Sequence, residues 1–144
     1  FPDKAFDLRP EDRALVIKYG SIIPRESEIM TYQDSVHYWD SYVKFLMYGS
    51  EPGATIPDNI RIFNKIGLAY GFTIDNAYIL DKDKKIEFFL STVVYANPNN
   101  IFNDNVYDYD EVSFPFMKRL GEEIYEFESK RERKYTPIFE HIFD

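Results

Sequence analysis

Two rhythms of apolar residues run through the chain. Three stretches, 59–67, 72–80 and 85–95, read as strands, and in the third Ile86, Phe88, Leu90, Thr92 and Val94 alternate onto one side. The other side of that strand carries Phe89, Val93 and Tyr95, so both faces of the sheet are apolar and both call for cover. Tyr70-Gly71 marks a turn or bulge between the first two strands, and Asp81-Lys82-Asp83-Lys84 is a charged hairpin connection between the second and third.

Helical spacing appears on either side of the strands. Val36, Trp39, Val43 and Leu46, with Tyr42 and Met47 beside them, fall on one face of a helix predicted from Asp34 or Ser35 to Gly49. Phe116, Leu120, Ile124 and Phe127 form the expected buried stripe of a long helix over 111–132. In that helix Pro115 is tolerable near the first turn, and Gly121 permits close packing on the sheet. A further helix is marked by its ends: Pro10 at the start, Glu11 and Asp12 in the first turn, Gly20 after the last. Residues 21–33 and 50–58 read as loops, and 96–109 as a long loop rich in Asn and Asp. The tail 134–144 is apolar for a terminus and is expected to dock or to pack on a neighbour. The architecture that follows is α+β: an antiparallel sheet of at least three strands with a long C-terminal helix packed on it, in a single domain over 1–144.

Composition narrows the chemistry. A chain of 144 residues, 44% of them apolar, buries a core without a disulfide or a metal. The absence of Cys excludes thiol catalysis and thiolate metal sites. A net charge of −8 disfavours nucleic acid as a partner. No apolar run reaches the length of a membrane span. Phe1 rather than Met opens the sequence, so a longer parent chain is expected.

A resemblance rests on an ordered set of short stretches. Asn64-Lys65-Ile66-Gly67, then Ala69-Tyr70-Gly71, then Asp75-Asn76-Ala77-Tyr78-Ile79 resemble the Lys-Thr-Gly strand and its successor in serine β-lactamases and penicillin-binding proteins. Pro24-Arg25-Glu26-Ser27, Tyr42-Val43-Lys44-Phe45, Ile60-Arg61-Ile62-Phe63-Asn64-Lys65, Phe102-Asn103-Asp104 and Phe114-Pro115-Phe116-Met117 are similar to a group of β-lactamase-like serine hydrolases common in Bacteroidetes. The resemblance implies the C-terminal part of such a hydrolase, a partial β-lactamase/transpeptidase-like fold, and a location in the periplasm or outside the cell. It also implies a small-molecule or peptide substrate for the parent protein and no cofactor or metal. The nucleophile of Ser-x-x-Lys would lie upstream of Phe1.

Carried over residue by residue, the resemblance makes Lys65 the catalytic cation, stabilising developing negative charge. Gly67 would admit substrate close to the backbone, and the N–H of Leu68 would be one oxyanion donor. Ile66 stands where the family has Thr or Ser, so a hydroxyl that would bind a substrate carboxylate is replaced by a side chain that cannot donate. The residues alone read more plainly: Lys65 as a solvated charge, Gly67 as a bulge before a turn. A non-catalytic binding or assembly domain is the alternative function.

Other candidates read as structural. Ser41-Tyr42-Val43-Lys44 fits Ser-x-x-Lys but falls inside the predicted 34–49 helix, as a pair of helix-surface polar residues. His37 and His141 have no Ser and Asp at suggestive spacing. Asp104, Asp108, Asp110 and Glu111 lack the order of a calcium loop. Taken alone, the sheet would keep an open edge, so a homodimer through that edge is expected.

Overall fold

The computed structural model describes residues 6–139 and Ile142. Its sheet has three antiparallel strands in the order β1 (Ile60–Ala69), β2 (Phe72–Asp81), β3 (Ile86–Tyr95), so β1 and β3 are the two edges. The strands and both connections lie where the alternation placed them. Tyr70 and Gly71 both have positive φ, 54° and 88°, as a tight two-residue hairpin turn requires. Gly71 also has no room for a side chain, because a Cβ there would lie 2.6 Å from Asn97 Cβ.

One sheet face holds the core. Ile60 and Ile62 of β1, Ala77 and Ile79 of β2, and Ile86 and Phe88 of β3 pack there with Phe45, Leu46 and Met117. Cover comes from the segment 38–56 and from the C-terminal helix α2 (Phe114–Lys130), which follows a single π-helical turn at 109–113. The opposite face carries the ring ladder Phe63–Tyr78–Phe89, with centroid separations of 6.0 and 4.7 Å. Helix α1 (Pro10–Ser21), which starts at Pro10 as predicted and runs through Gly20 to Ser21, approaches that face. A Cβ on Gly20 would sit 3.1 Å from the Phe63 ring. The tail docks through Phe139, which is buried. A groove of about 970 Å³ between α1, the tail and the sheet leaves this second face half covered.

Three expectations are corrected. The segment 34–49 is not a helix but a series of turns. Val43, Met47 and Ser50 adopt positive φ (57°, 71°, 53°), and the amides of Phe45 and Leu46 donate to Asp75 instead of to carbonyls four residues back. Its Trp, Tyr, Phe and Val residues are weak helix formers, so tertiary bonds outcompete the local ladder. The buried stripe of the long helix also differs. Met117 and Gly121 are buried, with Leu120, Ile124 and Tyr125 packed beside them, whereas Phe116 and Phe127 are exposed. Gly121 serves a close approach to the 38–56 segment rather than to the sheet: a Cβ there would lie 2.3 Å from the Met47 backbone nitrogen.

Candidate functional site

The two-residue turn makes Ala69 and Phe72 a hydrogen-bonded pair. Counting back in twos, Gly67, Lys65, Phe63 and Arg61 also turn their backbone groups to β2. The N–H and C=O groups of Ile60, Ile62, Asn64, Ile66 and Leu68 therefore face outward along the β1 edge. Side chains obey this geometry: the Lys44 ammonium donates to Ile62 O at 3.0 Å, and the Lys65 ammonium donates to Ile66 O at 2.8 Å.

The candidate residues thus divide between two environments. Lys65 is exposed, on the α1 side of the sheet, with its ammonium folded back to the edge. Ile66 is half-buried and packs its side chain against the core. Gly67 meets only ordinary contact, with Ile74 Cβ at 3.7 Å from a built Cβ, so no close approach demands glycine there. Neither is it a bulge, since the β1–β2 register runs unbroken from Ile60 to Ala69. Leu68 turns its N–H outward and its side chain into a cleft of about 740 Å³. Trp39, Tyr42, Phe45, Tyr48 and Phe114 line that cleft, with Phe45 and Phe114 stacked at 4.6 Å. An ion pair between Lys118 of α2 and Glu51 stands at its wall. Thr73, paired with Leu68 across the strands, is buried and its hydroxyl has no partner among the described residues.

Beneath the cleft lies a polar network that sequence reasoning missed. Asn64 donates to Val43 O (2.9 Å) and to Asp75 Oδ1 (3.0 Å), and its carbonyl accepts from the Lys44 ammonium (2.7 Å). Asp75, fully buried, accepts from the amides of Phe45 and Leu46, each at 3.1 Å. Burial pushes the Asp75 carboxyl above the usual carboxylate range, against three N–H donors that favour its charge. Burial likewise pulls the Lys44 ammonium down to about 8, with the Asp75 charge opposing. The available signal was parity: Asp75 sits on β2 in step with Ala77 and Ile79, which is a core-facing position.

Ser41 and Lys44, expected on a helix surface, are instead buried in the turn segment. The Ser41 hydroxyl donates to Glu51 O (2.8 Å), so the pair ties the turn segment together. His37 pairs with Asp34 at 2.7 Å on an exposed turn, and its neighbour in that pair was not anticipated. His141 lies outside the described residues. In the Asn- and Asp-rich loop, Asn99 and Asp104 accept from backbone amides two residues on, which are local turn bonds. Among the described residues no three His, Asp or Glu side chains gather as a metal-binding group, and no helix is long and apolar enough to cross a membrane. No family model, curated protein or solved structure matches the chain.

Proposed function

We propose that this chain is the C-terminal, sheet-bearing part of a β-lactamase-like serine hydrolase, supplying the Lys-x-Gly strand and not the nucleophile. The observation that carries the reading is the placement of Lys65-Ile66-Gly67-Leu68 on an edge strand whose Leu68 N–H turns outward beside an aromatic cleft. A hydrogen-bond donor fixed by a sheet beside a cleft is the kind of group that stabilises an oxyanion. Lys65 supplies the positive charge at the same edge. The nucleophile, its base and the second oxyanion donor come from residues upstream of Phe1 in this reading, which places the parent protein outside the cytoplasm. The substrate is a small molecule or peptide. Ile66, lacking a hydroxyl, makes ordinary β-lactams slow substrates.

The test is covalent labelling of the product of the whole reading frame with a fluorescent penicillin and a fluorophosphonate. Label on a serine upstream of Phe1, lost on Lys65→Ala, is the expected result. Absence of label with both probes overturns it. Rapid turnover of a chromogenic cephalosporin by the unmodified protein would contradict the role given to Ile66.

A non-catalytic binding domain is the second reading. Its support is the Lys65 ammonium itself, which bonds its own strand at Ile66 O, whereas the cleft is lined by aromatic rings and by Leu68. That reading predicts no label and an unchanged ligand affinity on Lys65→Ala.

A further inference from the structure

The two edges of the sheet are finished differently, and the β3 edge is the unfinished one. Because β2 pairs with β1 through the backbone of Phe72, Ile74, Asn76, Tyr78 and Leu80, it pairs with β3 through the intervening residues. The outward groups of β3 are therefore those of Glu87, Phe89, Ser91, Val93 and Tyr95. Among the described residues none of these backbone groups has a hydrogen-bond partner. The strand holds no Lys, Pro or Gly and no bulge, which are the usual devices that stop an edge from pairing. Its side chains are also bare, with Phe89 70%, Val93 60% and Tyr95 43% exposed.

We propose that this edge pairs antiparallel with the β3 edge of a second copy, about a two-fold axis through Ser91, making one six-stranded sheet. The sequence of β3 is self-complementary about that residue. On the aromatic face Phe89 meets Val93 of the partner subunit, and Glu87 meets Tyr95 of the partner subunit, a carboxylate against a phenol. On the core side Leu90 meets Thr92 of the partner subunit, and Phe88 meets Val94 of the partner subunit. This register uses all five outward residues, and the single charge on the strand, Glu87, never faces its like. A shift of two residues either way leaves outward groups unpaired. The same two-fold joins the half-covered aromatic faces into one continuous surface. The proposal concerns the chain of residues 1–144 and competes with the hydrolase reading at this edge, since upstream strands completing the sheet of a longer parent protein would take the place of the second copy.

The register can be read directly because the chain has no cysteine. Two residues facing each other in a hydrogen-bonded antiparallel pair have Cα atoms roughly 5.5 Å apart, inside the roughly 4.4–6.8 Å that a disulfide spans. The Ser91→Cys protein is expected to form a covalent dimer under mild oxidation, much faster than an Asn99→Cys control on the exposed loop. Sedimentation of the unmodified protein from about 1 to about 500 µM should show a concentration-dependent dimer. Ser91→Pro, which removes an outward N–H and leaves the β2 ladder intact, should shift the protein to monomer with its circular dichroism unchanged; Val93→Lys, a surface change, should do the same if proline perturbs the strand. A monomer across that range, or position-91 cysteines that link no faster than the control, overturns the proposal.

Discussion

The β1 and β3 edges are strands of equal length in one sheet, yet the chain treats them oppositely. Along β1 the outward carbonyl of Ile62 takes the Lys44 ammonium, the amide of Ile60 donates to Pro57, and Asn64 binds Val43. These bonds cost a buried lysine and a buried aspartate, and they require positive φ at Val43, a β-branched residue for which that conformation is strained. Along β3 no such bonds exist among the described residues, and large apolar side chains stand in solvent. Polar burial at one edge fixes a cleft and an outward N–H in place. Apolar exposure at the other fixes nothing among the described residues and leaves large side chains and outward backbone groups in solvent. On the two proposals above, the difference separates a site that must be positioned from a surface open to a partner.

Removing Asp75 should break the comparison most severely. Asp75→Ala strands the amides of Phe45 and Leu46, one N–H of Asn64 and the charge of Lys44, and should destabilise the fold by about 3–5 kcal/mol in urea titration. A loss no larger than that of a surface substitution would mean that the network does not hold the β1 edge.

Lys44 gives the next largest effect, read through pH. Its folded pKa of about 8 lies below its ordinary value of 10.5, so its contribution to stability is fully present above 10.5 and lost as pH falls through 8. The shift corresponds to about 3 kcal/mol. Tyr48, pushed up to about 12 by burial, acts with the opposite sign above pH 10, so the clean window is pH 8–10. Stability of the native protein relative to Lys44→Met should rise across that window, and a flat difference would contradict the burial argument.

Gly121→Ala comes third. Its Cβ would collide with the Met47 backbone, so α2 must move off the turn segment at a cost of about 1–3 kcal/mol, seen as a lower Tm. The smallest effect belongs to the other edge. Val93→Lys should change the stability of the isolated subunit by no more than about 0.5 kcal/mol, whereas the same change at Asn64 would break its bonds to Val43, Asp75 and Lys44.

What the sequence made legible was local. Strand alternation, the Tyr70-Gly71 turn and the start of α1 depend on neighbours within a few residues. The 34–49 segment was misread because its backbone is claimed by Asp75, some thirty residues away, and spacing alone cannot register a distant acceptor. In the long helix, Phe116 and Phe127 read as core because they fall at helical spacing with Leu120 and Ile124. The helix instead turns Met117 and the small Gly121 inward, since Met47 leaves no space for more. Of the candidate site, Lys65 to Leu68 were legible as a motif on a strand. Asn64 and Asp75 stood inside the quoted motifs, but their bond across β1 and β2 depends on the pairing register, which no single strand discloses.

Residue-resolved amide hydrogen exchange at two protein concentrations tests the contrast most directly. At high dilution the amides of Phe89, Ser91 and Val93 should exchange rapidly, whereas those of Phe45 and Leu46 remain protected by Asp75. Raising the concentration should slow exchange at Phe89, Ser91 and Val93 and leave the β1 edge unchanged. Protection of the β3 amides that is already full at high dilution, or fast exchange at Phe45 and Leu46, would contradict the division between an edge braced by the 38–56 segment and an open one.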